Sequence, residues 1–219
     1  MQGLPHVYAN EQEVQTLEIV LTDTVLQVQV TLLYAVLPEL DCITRSVVVQ
    51  NFGERQVVVT GAASACLDFV TGSYDVLTFY GRHAMEGNLE RSAVGHHATV
   101  IGSRRGTSSH QYNPMRILAE QNATEEYGRC YAMSFVYSGG FEASVEKDQI
   151  DQTRMIMGLE SEGLRYRLMK GQQWIIPEVI MSYSDAGLGL LSQQLHRCIR
   201  HHVCRGVYQH QVRPILINS

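Results

Sequence analysis

The sequence predicts a mainly β protein, a large antiparallel β-sandwich closed by a single C-terminal α-helix. Three observations carry this. Runs of two-residue hydrophobic periodicity recur at short intervals through the first two thirds of the 219 residues. Gly- and Asn-bearing turns separate them. One stretch near the end switches to helical spacing. Period two turns alternate side chains to opposite faces of a strand, whereas a recurrence of three to four marks one face of a helix.

The clearest alternation is Leu26, Val28, Val30, Leu32, Tyr34 and Val36 against Gln27, Gln29 and Thr31. The run 17–21 precedes it across Asp23-Thr24, which predicts a hairpin. A second hairpin is expected where 43–50 and 56–60 flank Asn51-Phe52-Gly53, whose Asn and Gly favour turn geometry. Val47-Val48-Val49 and Val57-Val58-Val59 are continuous apolar runs, as in strands covered on both faces. Further strands are expected at 63–69, 76–81, 98–102, 130–137, 141–146, 153–159, 164–168 and 174–183. Pro177 lies inside the last of these and calls for a sheet edge or a bulge. About twelve short strands fit a sandwich.

From Leu188 to Cys204 the apolar positions Leu188, Leu191, Leu195, Cys198 and Ile199 define a helix of about 17 residues. Ser184 or Asp185 is its expected cap, and Gly206 its stop. The last segment contains Ile215-Leu216-Ile217, a wholly apolar run like a buried parallel strand with only two residues after it. The organisation expected is therefore a β-sandwich over 1–183, a closing helix over 184–206, and 207–219 as a linker with the first strand of a sheet or barrel lying beyond the chain.

Composition excludes several roles. Net charge is −5 and no Lys/Arg-rich run occurs, so a nucleic-acid partner is not expected. No apolar run approaches the roughly 18 residues of a membrane span, and the start lacks the basic and apolar regions of a secretory signal. The odd set Cys42, Cys66, Cys130, Cys198 and Cys204 reads as reduced, buried thiols of a cytoplasmic protein. Cys66 and Cys130 are expected in the core. No zinc spacing is present. His96-His97 and His201-His202 diverge on either regular backbone, so no metal site is expected. Neither a nucleophile elbow nor a phosphate loop occurs, and no cofactor is expected. Carboxylates such as Glu86, Glu90, Asp148 and Asp151 lie near turns, where most are solvated. Trp174 opens an apolar strand and is expected to pack rather than to present a sugar platform.

The densest polar segment runs from Arg104 to Asn113. Arg104, Arg105, Thr107, Ser108, His110 and Gln111 are its candidate contact residues. Two guanidinium groups with hydroxyls suit an anion or sugar hydroxyls. The same residues suit an ordinary polar loop packed on another domain or subunit.

Taken in order, these motifs resemble a known family. They are Gly3-Leu4-Pro5-His6-Val7-Tyr8, Asp41-Cys42-Ile43-Thr44-Arg45-Ser46, Ser103-Arg104-Arg105-Gly106-Thr107-Ser108-Ser109-His110-Gln111, Tyr137-Ser138-Gly139-Gly140-Phe141, Tyr183-Ser184-Asp185-Ala186-Gly187-Leu188 and Arg213-Pro214-Ile215-Leu216-Ile217-Asn218-Ser219. Over essentially the whole chain they are similar to the N-terminal region of glycoside hydrolase family 36 α-galactosidases. That resemblance implies a β-supersandwich preceding a (β/α)8 catalytic barrel. It implies removal of α-linked galactose from melibiose- and raffinose-type oligosaccharides with retention, by two aspartates on the barrel and none in this chain. It further implies a cytoplasmic homotetramer, with the 104–113 loop at a subunit or barrel contact. The alternatives are a stand-alone carbohydrate-binding sandwich or an enzyme complete in itself. Sugar binding by the isolated chain, or its own turnover of a galactoside, would favour one or the other.

Overall fold

The computed structural model describes residues 4–217, so Gly3 of the first motif and Asn218 and Ser219 of the last lie outside the described residues. The chain is an antiparallel β-sandwich with one C-terminal helix. In chain order the strands are β1 (Gln15–Asp23), β2 (Val28–Leu37), β3 (Cys42–Asn51), β4 (Val57–Val59), β5 (Ala63–Phe69), β6 (Tyr74–Arg82) and β7 (Met85–Ala93). There follow β8 (Thr99–Ser103), β9 (Tyr112–Glu120), β10 (Cys130–Phe135), β11 (Phe141–Lys147), β12 (Thr153–Leu159), β13 (Tyr166–Leu168) and β14 (Gln173–Ser184), then helix α1 (Gly187–Cys198).

Eight strands form one sheet in the order β1-β2-β3-β14-β10-β9-β6-β7, and four form the facing sheet, β5-β12-β11-β8. Between them lies a core of Val76, Leu118, Met133, Phe141, Met155, Met157 and Val179, among others. Helix α1 packs on the outer face of the large sheet. There Leu191, Leu195 and Cys198 join Leu37, Leu77, Ile117 and Ile180 in a second core. The large sheet is thus buried on both faces at its centre, which is why residues 176–182 of β14 are all buried.

The first hairpin forms as expected, in an unbroken nine-pair register from Gln15↔Val36 to Asp23↔Val28. The second does not. β3 pairs with β2 and β14, while β4 leaves to pair with β13 in a separate two-stranded sheet. Asn51 decides this. Its buried amide donates to Arg55 O at 2.8 Å and Leu168 O at 2.9 Å, and its oxygen accepts from Gly53 N at 3.0 Å. The turn is thereby tied to a strand more than a hundred residues away rather than to a hairpin partner.

Pro177 sits in a central strand, not at an edge. It is accommodated by a bulge, where the β14–β3 register shifts between Ile176 and Val179. The bulge aims the buried Glu178 carboxylate at the N-terminal segment, and Glu178 Oε2 accepts from Val7 N at 2.7 Å. His202, at the far end of the helical region, exchanges contacts with Tyr8: Tyr8 N donates to His202 O at 2.7 Å and His202 Nδ1 lies 2.8 Å from Tyr8 O.

The helix is shorter than its spacing suggests. It ends at Cys198 and continues as one wider turn, Ile199–Val203. Neither Ser184 nor Asp185 caps it. Ser184 Oγ accepts from Ala186 N and donates to Gly187 O, and the opening N–H groups go elsewhere. Gly187 N donates to Gly128 O, Leu188 N to Thr124 O and Gly189 N to Glu125 O, each at 2.9 Å. The first turn is therefore capped by the 120–129 loop, which satisfies groups every helix start leaves open. Two arginines hold that loop. Arg91 donates to Ala123 O at 2.7 Å and Glu120 O at 2.8 Å, and Arg129 grips the Glu120 carboxylate at 2.6 and 2.8 Å.

One other expectation needs correction. Cys66 is exposed rather than in the core, because it lies on the outward face of an edge strand; Cys42, Cys130 and Cys198 are buried. Trp174 is half-buried and stacks on Tyr166 at 4.2 Å between ring centroids. Residues 207–217 carry one short turn, Val207–Gln209, and Ile215, Leu216 and Ile217 are 94%, 87% and 91% exposed.

The junction of loop and helix yields two measurements. Gly187 has φ +83°, and a Cβ there would lie 2.5 Å from Tyr127 N. Gly187→Ala is expected to lower unfolding free energy in urea by about 3 kcal/mol, combining left-handed strain with the clash. Gly163→Ala, at φ +75° in open space, should lose only about 1 kcal/mol. The Arg129 side chain, then its backbone N–H, holds the Glu120 carboxyl below its usual range. A depressed carboxylate stabilises the fold above its unfolded pKa, about 4.3, and loses that contribution as pH falls through the lower folded value. Amide protection factors of Leu188 and Gly189 should accordingly decline below about pH 4 before global unfolding.

Candidate functional site

The 104–111 segment connects β8 of the small sheet to β9 of the large one, so it crosses between the layers at one end of the sandwich. The connection from β10 to β11 makes the same crossing beside it. The two are bonded together through one carbonyl: Ser138 O accepts from Ser108 N at 2.8 Å, Thr107 Oγ1 at 3.1 Å and Ser108 Oγ at 3.3 Å. Ser103 Oγ donates to Thr107 O at 2.5 Å, and Ser109 Oγ accepts from Gln111 N at 3.2 Å. A bridge between Ser109 and Tyr112 puts His110 and Gln111 at the tip of a tight turn. Gly106, at φ +76°, supplies the left-handed step.

These bonds divide the six sequence candidates. The Thr107 and Ser108 hydroxyls spend their protons inside the loop. Arg104 is paired with Glu160, at 3.7 Å, and with Glu162. Arg105, His110 and Gln111 are exposed. Beneath them lies an open cavity of about 410 Å³ lined by Ser103, Arg104, Arg105, Gln111, Glu142 and Glu160, among others. Two guanidinium groups facing carboxylates make a mixed field. That suits hydroxyl-rich or amide-bearing contacts better than a bare anion.

A second cavity, of about 390 Å³, was not anticipated. It lies between α1 and the outer face of the large sheet, with Leu77, Phe79, Met115, Leu188, Leu195 and His196 in its wall. Its floor belongs partly to β9, a strand whose alternation is hidden by Arg116. That side chain is wholly buried and donates to Thr78 Oγ1 and, at 3.1 Å, to Thr99 O, and burial pushes its pKa down to about 10. Among the described residues, no group of three or more His, Cys, Asp or Glu could hold a metal ion, and no helix is long and apolar enough to cross a membrane.

A family model described as the glycosyl hydrolase family 36 N-terminal domain matches residues 1–169, and one described as Melibiase matches residues 173–219. The chain belongs to glycosyl hydrolase family 36. The boundary between the two matches falls just before β14, so the second match begins with the central strand of the sandwich. The family 36 chain is 59% identical over 219 residues to the bifunctional alpha-galactosidase/sucrose kinase AgaSK of Mediterraneibacter gnavus. That match covers 100% of this chain and 23% of the relative. The solved galactosidase domain of AgaSK superposes with TM-score 0.97, covering 100% of this chain and 30% of that one. AgaA of Geobacillus stearothermophilus, solved with stachyose and, as another variant, with raffinose, superposes at TM-score 0.95. In the stachyose complex it is 39% identical, covering 98% of this chain and 30% of that one. The chain therefore spans less than a third of the length of these relatives.

The loop's bonding predicts an order of effects. Thr107→Val should cost about 1 kcal/mol in urea unfolding, as it removes a tethering hydroxyl. Arg104→Ala, which breaks exposed ion pairs, should cost less than about 0.5 kcal/mol. The reverse order would show that the ion pairs, not the Ser138 carbonyl, hold the loop.

Proposed function

We propose that the chain serves as the N-terminal domain of a retaining α-galactosidase acting on terminal α-linked galactose in melibiose- and raffinose-type oligosaccharides. The observation that carries this is the match of essentially the whole chain, in sequence and in fold, to the corresponding third of α-galactosidases. Retention needs two carboxyl groups about 5 Å apart across the scissile bond. In this reading both are aspartates of the catalytic barrel, and the chain itself supplies neither. Its sandwich over 1–183 and helix over 184–206 support the barrel. Residues 207–219 lead into it, and the exposed Ile215, Leu216 and Ile217 become a barrel strand once partners surround them.

The 104–113 loop is assigned to a contact with the barrel or a neighbouring subunit at the substrate entrance. The exposure of Arg105 and His110 supports this. A fixed wall for the leaving oligosaccharide would assist by positioning, without chemistry of its own. The reading includes a homo-oligomer, a tetramer as the family resemblance implies, and a cytoplasmic location, which fits five unpaired thiols.

Two assays test it. The 219-residue chain should leave a nitrophenyl α-galactoside intact and give no heat with galactose, melibiose or raffinose in calorimetry. Turnover would move the catalytic pair into this chain, and binding at millimolar concentration or below would make it a sugar-binding module. In the enzyme that carries the domain, Arg105→Ala should lower kcat/KM for raffinose about tenfold, the worth of one charge-assisted hydrogen bond, while leaving the nitrophenyl galactoside nearly unaffected.

A further inference from the structure

Two of the five thiols meet inside the fold. Cys42 opens β3 and lies between Leu37 of β2 and Ser182 of β14 in the sheet. Directly paired residues point to the same face of a sheet. Ser182 shows which face this is, because its hydroxyl lies 3.3 Å from Gln194 Oε1 of α1. Cys198, the last residue of α1, stands four positions after Gln194, one turn along the same side of the helix. The two sulfurs are thus brought together under the end of the helix, where they are hydrogen-bonded to each other. Cys42 is 1% and Cys198 0% exposed. Both belong to the second core with Leu37, Ile180, Leu191 and Leu195, so their burial is complete within this chain. The other three thiols are placed differently. Cys66 is exposed on the small sheet, Cys204 is half-buried beyond the wider turn, and Cys130 directs its thiol to Gly128 O at 3.8 Å.

The pair is chemically asymmetric. The Cys198 thiol donates toward the Cys42 sulfur and holds the Cys42 thiol below its ordinary value, against burial, with Ser182 adding to the effect. The same bond, then burial, pushes Cys198 up. A favoured thiolate beside a protonated thiol is the arrangement of an attacking and a resolving sulfur. Both residues also lie at the ends of their elements. Cys42 follows the exposed Asp41, and Cys198 precedes the wider turn Ile199–Val203. Local opening at element ends costs little and admits a small oxidant.

We infer that Cys42 and Cys198 form a redox-sensitive clamp, which a peroxide converts into a disulfide that locks the end of α1 to the start of β3. The Cys42 thiolate attacks one peroxide oxygen. An S–O bond forms, the O–O bond breaks, and the departing hydroxide takes the Cys198 proton as water. The Cys198 sulfur then attacks the Cys42 sulfenic acid. The S–S bond forms, the S–O bond breaks, and the second hydroxide takes up the proton that Cys42 first released. Two thiols lose two electrons and one peroxide becomes two waters. The clamp fixes more than its own residues. The turn after Cys198 carries His202, which holds Tyr8 through bonds of 2.7 and 2.8 Å, and the adjacent Val7 N is held by Glu178 of β14. Locking Cys198 therefore ties both the N-terminal segment and the departure of residues 207–217 to the sheet. Disulfides of cytosolic proteins are mostly transient and redox-sensing, which suits a pair that is reduced at rest.

The test treats the folded 219-residue chain with hydrogen peroxide, then denatures it, caps free thiols with N-ethylmaleimide and maps the peptides. A linked peptide pair containing Cys42 and Cys198 is expected. The oxidised chain should melt about 5 °C or more above the reduced one, since a cross-link between residues so distant in sequence constrains the unfolded chain. Dithiothreitol should reverse the shift. Cys204→Ser should form the linkage as readily, which separates the clamp from a bond to the less buried neighbour. Absence of the linked pair overturns the inference, as does a linkage of either residue to Cys66, Cys130 or Cys204. A Cys42–Cys198 linkage that fails to raise the melting temperature overturns the clamp, because the fold then distorts to make the bond. None of these readouts uses galactosidase activity, so their failure leaves the α-galactosidase reading untouched.

Discussion

β14 is the strand on which the rest of the sandwich depends. It lies between β3 and β10, so without it the large sheet separates into β1-β2-β3 and β10-β9-β6-β7. Its side chains feed both cores, Val179 and Met181 toward the small sheet and Ile180 toward the helix. Its pairing with β3 joins Cys42 to Ser182, a separation that makes closure entropically late. The bulge at Pro177 is what lets a proline occupy so central a place. Pro cannot donate to the ladder, and the extra residue absorbs the mismatch while turning Glu178 outward to fix Val7. The second family match begins with this strand. The part assigned by that match to Melibiase is therefore physically inseparable from the sandwich.

The elements most legible in the sequence are those whose two faces differ. β12 and β5 lie within the sandwich, and their expected spans coincide with the observed ones. β7 was missed because all but one of its nine residues are exposed, which leaves little alternation to detect. β9 was missed for the opposite reason: Arg116, in the middle of an inward-facing set, reads as surface but is buried, its two terminal nitrogens bonded to Thr78 and Thr99 and its Nε without a partner. The mistaken β3–β4 hairpin shows the limit of turn chemistry. Asn51 does make a turn, yet its second bond, to Leu168, is a long-range fact that no local window contains. The helix cap failed likewise, since a loop sixty residues earlier supplies the acceptors.

The candidate loop was legible as a polar concentration and not as a structure. Residue types gave two guanidiniums and three hydroxyls. Only the fold shows that the Ser138 carbonyl gathers the Thr107 and Ser108 hydroxyls, leaving Arg105 and the turn at His110 facing outward. A loop so tied is held in place without being saturated, as the proposed wall at a substrate entrance would need. Two carboxylates that face arginines, Asp68 against Arg154 and Glu120 against Arg129, are held below the usual carboxylate range, the opposite of the shift a general acid needs.

An eight-stranded sheet facing a four-stranded one must overhang it. The two overhangs differ in composition, and composition decides what each can do. β7 is charged and irregular and remains stable facing water. On the β1–β2 overhang Leu17, Ile19 and Leu21 are 56%, 38% and 51% exposed beside Leu32 and Tyr34, so this overhang presents apolar surface where β7 presents charge.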